Sequence, residues 1–188
     1  LSGGANMAVF EAPGGGYFSV GRSAYNNNGG VNGFGVMRYT ENGDLDTTYS
    51  GDGMSWFAPA TSLFYMNAET ALLLPDTSII YVGGVGDDLS PYSIHLAKFL
   101  PTGELDPAFG NNGQVVTTIA YGEANPVRRI SAVLLPDGRF LLGVRAANQM
   151  AMVARFMPDG SLDTSYGTAG ISEMNPTPAN DIANGLQL

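Results

Sequence analysis

The chain has 188 residues, 44% of them apolar, with 26 Gly, 11 Pro and no Cys. Seventeen acidic residues against eight basic ones leave a net charge of −9, which argues against partners held through phosphate, nucleic acid and anionic membrane alike. The lack of cysteine removes disulfides, thiol nucleophiles and thiolate metal sites, and no apolar run is long enough to span a bilayer.

Glycine and proline at this density punctuate the chain every few residues, so many short strands joined by tight turns, an all-β fold, are expected. Residues 1–4 read as a linker, and a start at Leu1 without a signal segment reads as a mature or excised segment. A strand is predicted over 7–10, a turn at Pro13 and the glycines 14–16, and a returning strand over 17–20. Residues 22–33, rich in Asn and Gly around Tyr25, read as a long loop before a third strand over 34–39. The plan then repeats: strands over 71–74 and 79–83 about a Pro75-Asp76 turn, a loop over 84–91, and a strand over 92–100. It repeats again over 130–135 and 140–144 about Pro136-Asp137-Gly138, with a shorter loop at 145–149 and a strand over 150–157. A fourth strand is predicted in each series at 54–57, 114–119 and 171–174.

Between third and fourth strands stands one recurring phrase, Gly-x-Leu-Asp-x-x-aromatic. It runs from Gly43 to Tyr49, from Gly103 to Phe109 and from Gly160 to Tyr166. A period of about 60 residues signals stacked supersecondary units, and four strands per unit is the make-up of a propeller blade. The reading is therefore an all-β, β-propeller-type fold of three four-stranded blade repeats, with units at about 5–64, 65–126 and 127–180. Residues 181–188 read as one extra C-terminal strand, the opening of a further unit.

The stretch Ala154-Arg155-Phe156-Met157-Pro158-Asp159-Gly160-Ser161-Leu162-Asp163-Thr164-Ser165-Tyr166-Gly167, with Leu134-Leu135-Pro136-Asp137-Gly138-Arg139, resembles the delta-60 repeat, a bacterial repeat of unknown function grouped with β-propeller repeats. The resemblance extends over nearly the whole chain and is closest in the third unit. The first unit departs from it, with Thr40-Glu41-Asn42 in place of a Pro-Asp turn and a glycine run after Pro13. It implies propeller blades in a secreted or surface-exposed bacterial protein, and it brings no catalytic residues.

A cation precedes each phrase Asp by eight positions: Arg38 and Asp46, Lys98 and Asp106, Arg155 and Asp163. Recurrence in every unit is what a structural latch would show, the carboxylate accepting from the turn backbone and from the strand cation. Asn42, Asp44, Asp46 and Asp52 raise calcium as an alternative, but the ligand series of an EF-hand is absent and turn-forming Asx residues account for them. No metal and no cofactor is expected. His95, the sole histidine, stands where the other units have Gly35 and Met152 and is read as a packing residue. Asp87, Asp88 and Glu69 keep a paired-carboxylate glycoside hydrolase open.

Repeat folds place function where the units differ. Tyr25 beside Asn26, Asn27 and Asn28 offers an aromatic plate next to amides, suited to sugar rings and hydroxyls. Trp56, Asp87, Asp88 and Tyr92 complete the candidate ligand-binding set. The expected role is a non-catalytic recognition or adhesion module at the cell surface or outside the cell, taking a glycan or a protein. A spacer in a large surface protein is the alternative, and the hydrolase a further one. Three blades leave open faces, so a homo-oligomer, dimer or trimer, is also expected, with no nucleic-acid partner and no membrane insertion.

Overall fold

A computed structural model describes residues 5–25, 31–57, 65–86, 92–121, 130–145 and 151–174. Among these lie twelve strands: β1 (Ala5–Glu11), β2 (Tyr17–Tyr25), β3 (Val31–Tyr39), β4 (Met54–Phe57), β5 (Tyr65–Leu73), β6 (Ile79–Gly86), β7 (Tyr92–Phe99), β8 (Gln114–Tyr121), β9 (Ser131–Leu134), β10 (Phe140–Arg145), β11 (Ala151–Phe156) and β12 (Ile171–Met174). They form three four-stranded antiparallel sheets, and within each the strand order follows the sequence. Such meanders stacked face to face are the blades of a β-propeller-type fold.

Alternation along each strand sorts side chains onto two faces, and packing decides which are buried. In the middle blade both faces are. Ile79, Tyr81, Ala97 and Phe99 pack against Phe18, Val20, Phe34 and Val36 of the first blade. Ile80, Val82, Ile94 and Leu96 turn the other way, onto Phe140, Leu142, Met152, Ala154 and Phe156 of the third. Burial on both faces is why Ile79-Ile80-Tyr81-Val82 reads as an unbroken apolar run instead of alternating.

The turns fall where Pro and Asp place them. Ser78 N–H donates to Asp76 Oδ1 at 2.9 Å and Arg139 N–H to Asp137 Oδ1 at 3.1 Å, the Asx bond that tightens a hairpin. Strand ends depart from expectation. Residues 22–25 and 31–33, expected as loop, continue the ladder with pairs from Arg22↔Phe34 to Tyr25↔Val31. Main-chain pairing does not require apolar side chains, so Asn and Gly alone do not end it. β6 likewise runs to Gly86, into the loop expected at 84–91. β5 opens at Tyr65, well before the expected Ala71, with a bulge at Glu69 that matches a bulge at Met7 in β1. The extra strand expected over 181–188 lies outside the described residues.

Candidate functional site

Each third strand enters the repeated phrase through the same main-chain bonds. In the first blade Asp46 N–H donates to Arg38 O at 2.9 Å, Tyr49 N–H to Asp46 O at 3.0 Å, and Gly53 N–H to Tyr49 O at 2.8 Å. The set recurs at Lys98, Asp106, Phe109 and Gly113, and again at Arg155, Asp163, Tyr166 and Gly170. This folding-back carries each carboxylate to the cation of the strand it has just left. Lys98 Nζ lies 2.8 Å from Asp106 Oδ2, and Arg155 Nε lies 2.8 Å from Asp163 Oδ2. Arg38 Nε lies 3.0 Å from Asp46 Oδ2, but its N–H points off that line, so this pair is a charge contact without an aligned hydrogen bond.

The other carboxylate oxygen closes an Asx turn, accepting from Thr48 N–H at 3.0 Å, Ala108 N–H at 3.0 Å and Ser165 N–H at 3.1 Å. The Thr48 and Ser165 hydroxyls add bonds of 2.6 Å, which Ala108 cannot supply. Accordingly the Thr48 hydroxyl, then its N–H, lead in holding the Asp46 carboxyl below its ordinary value, while Lys98 leads at Asp106. At Asp163 the Ser165 hydroxyl leads, with Ser165 N–H, Arg139 and Arg155 behind it, and burial opposes them. Arg139, whose Nη1 lies 3.1 Å from Asp163 Oδ2, is a second cation that the eight-residue spacing does not reveal. It is delivered by the Pro136-Asp137-Gly138 hairpin. Carboxylates held ionised in this way fasten turns and have no proton to exchange near neutral pH.

The same phrase also joins the blades. Tyr49 and Phe109 are each 1% exposed. Tyr49 lies against Gly103 of the next phrase, where an added Cβ would meet Tyr49 Cζ at 3.1 Å. Phe109 lies against Gly160, where a Cβ would meet Phe109 Cζ at 2.6 Å. Beside these contacts Ser50 N–H donates to Thr102 O and Gly110 N–H to Asp159 O, both at 2.9 Å. The buried Ser55 hydroxyl donates to Gly103 O.

Trp56 is 46% exposed on the outer strand β4, opposite Gly35. A Cβ at Gly33 would collide with the indole, and one at Gly35 would sit 3.9 Å from its Cδ1. The ring therefore lies across the β3 backbone on a shelf of two glycines. In the middle blade the equivalent position, Val116 opposite His95, stays 51% exposed although a blade packs on either side. The position is thus on the rim. Nearby, an open groove of about 430 Å³ runs between the second and third blades, with Asn111, Gln114, Asp159 and Ser161 presenting polar groups beside Val115 and Val116. The sequence reading passed over these four polar residues because each sits in a turn or at a strand start where Asn, Asp and Ser are ordinary.

His95 is fully buried among the rings of Phe34, Phe57 and Tyr81, with centroids at 6.0, 6.1 and 6.2 Å. Among the described residues neither ring nitrogen has a hydrogen bond of good geometry; Gln114 is the polar side chain that approaches it. Burial pulls its pKa down to about 4. Tyr25 closes β2 and Tyr92 opens β7, at the strand ends flanking the variable connections. Asn26, Asn27, Asn28, Asp87 and Asp88 lie outside the described residues. Among the described residues no three His, Cys, Asp or Glu are grouped to hold a metal ion, and no helix is long and apolar enough to cross a membrane.

A family model described as a domain of unknown function (DUF5122) β-propeller matches residues 15–49 and 135–166. These segments span the second and third strands and the phrase in the first unit, and the Pro-Asp turn through the phrase in the third. The chain is therefore similar to a β-propeller-type repeat family. No curated protein and no solved structure matches it.

Proposed function

We propose that the chain is a non-catalytic recognition module of a bacterial surface or secreted protein, holding a glycan or a protein surface at the propeller rim. The observation that carries this reading is Trp56, an indole with one face seated on Gly33 and Gly35 and nearly half its surface open. A fixed aromatic face stacks on the apolar face of a sugar ring at little entropic cost, and adjacent amides and hydroxyls complete the hydrogen bonds. Gly33 lies near the start of β3, which in sequence follows the connection holding Asn26, Asn27 and Asn28. In the second unit Asp87 and Asp88 fall in sequence within the corresponding connection, and Tyr92 opens the strand after it. The finer resemblance to the delta-60 repeat supports the bacterial, surface-exposed setting.

A glycan array probed with the full chain tests the reading. Trp56 is the only tryptophan, so its emission reports the bound state of any hit directly. Trp56→Ala is expected to abolish binding while the melting temperature stays nearly unchanged. A hit that binds Trp56→Ala as well as the unaltered chain refutes the site. An array without hits leaves the structural spacer as the better reading, and turnover of chromogenic glycosides would instead favour the hydrolase.

A further inference from the structure

Among the described residues the contact between blades is made twice, and its two halves are left over on the first and third blades. At each junction an aromatic knob that ends one phrase sits on the glycine that opens the next: Tyr49 on Gly103, then Phe109 on Gly160. Gly103 and Gly160 are buried beneath their knobs, whereas Gly43 is exposed and an added Cβ there would meet nothing within 4 Å. Gly43 is a socket without a knob. The third knob, Tyr166, is only half-buried, its ring covered on one side by the Arg155 guanidinium 4.6 Å away. Among the described residues Tyr166 is a knob without a socket.

The flanking groups follow the same order. The main-chain bonds from Ser50 N–H to Thr102 O and from Gly110 N–H to Asp159 O have a next donor in Gly167 N–H and a preceding acceptor in Asn42 O, and among the described residues neither is so paired. On the leading face of the first blade Tyr17 is 45% exposed, where its equivalents Ile79 and Phe140 are buried by a preceding blade. Met54 and Val9 are exposed beside it. On the trailing face of the third blade Ala151 and Val153 are buried, whereas Tyr166 at the phrase corner is only partly so.

We infer that a second copy of this chain docks head to tail, with Tyr166 of one copy seated on Gly43 of the next and Gly167 N–H donating to Asn42 O. The occupant is argued from continuity: the contact repeats an interface already formed twice within the chain, with the same knob, the same socket and the same hydrogen bond. A head-to-tail contact is heterologous and stops growing only when it closes. Two copies closing on each other would bring the three blades of each to six, within the four to eight typical of propellers.

Sedimentation equilibrium of the full chain, from micromolar to hundreds of micromolar at physiological salt, tests this, since a net charge of −9 per copy needs screening. The expected mass is a multiple of the 19.7 kDa chain. Gly43→Asn places a side chain in the socket while keeping a residue that tolerates positive φ, and is expected to weaken association about thirtyfold or more. Gly14→Asn is the matched control, at an exposed turn glycine of similar φ with nothing within 4 Å, and should leave the mass unchanged. Tyr166→Ala should also dissociate the assembly. Mixing it with Gly43→Asn should restore one contact, since one variant keeps the socket and the other the knob. A wild-type chain that stays monomeric while folded by circular dichroism, or one whose association is indifferent to Gly43→Asn, overturns the inference.

Discussion

His95 makes the stability of this protein depend on pH just below neutrality. The ring is buried without a hydrogen-bond partner of good geometry, and burial disfavours its charged form. Its pKa falls from 6.5 to about 4 in the fold, so between those values the unfolded chain binds more protons than the folded one. Stability from the neutral ring is thus complete above the unfolded pKa and is lost as pH falls toward the folded one. The full linkage is about 3 kcal/mol, of which about 2 kcal/mol falls between pH 7 and pH 5. His95 is the only histidine, and carboxylates titrate mostly below this window. Urea unfolding followed by Trp56 emission at the two pH values measures the difference. His95→Met imitates Met152, buried at the same position of the third blade, and should reduce the difference to less than about 0.5 kcal/mol without abolishing folding. A wild-type chain equally stable at both pH values, or a His95→Met chain that keeps the slope, would show that the ring is not the titrating group.

The phrase carboxylates act lower on the pH scale. Asp46, Asp106 and Asp163 are all held below the ordinary carboxylate value of 3.8 in the fold, so their contribution is present above that value and is lost as pH falls below it. Thermal melts should therefore steepen against pH below about pH 4. Asp106→Ala is expected to cost about 2 kcal/mol in denaturant unfolding at pH 7, between the scale of an exposed and that of a buried pair; no loss would mean that Lys98 and Ala108 N–H find water as good a partner. Gly160→Ala drives a methyl into Phe109 and should cost about 2 kcal/mol or more, whereas Gly14→Ala meets nothing and should cost only the strain of its positive φ. Equal losses at the two glycines would refute the knob-and-socket account of the junction.

Recurrence made most of the fold legible. Three copies of one phrase at an interval of about 60 residues, with Pro-Asp turns at matching places in the second and third units, place the third strands, the turns and the paired charges before any packing is considered. What local pattern did not reveal is set by neighbours in space. Residues 22–25 and 31–33 look like loop because they are polar and glycine-rich, yet Gly33 is required under the Trp56 indole, a contact with another strand. Gly103 and Gly160 look like turn glycines, and they are, with φ of +94° and +84°. Their second duty, making room for an aromatic of the preceding blade, cannot be read within seven residues of sequence. Arg139 belongs to the same class: its partner Asp163 is supplied by a different hairpin.

The sequential strand order bears on how the chain is made. Among the described residues every ladder joins strands adjacent in sequence, so no sheet needs strands from a later blade to complete its ladders. A blade of about 60 residues takes several seconds to emerge at roughly 5 to 20 residues per second, while a hairpin closes in roughly microseconds. Each sheet can therefore close during synthesis, with its trailing face wet for seconds until the next blade arrives. For that interval Phe18, Val20, Phe34 and Val36, all but fully buried in the finished protein, form an exposed apolar sheet face, and that is the moment at which a chaperone has something to hold.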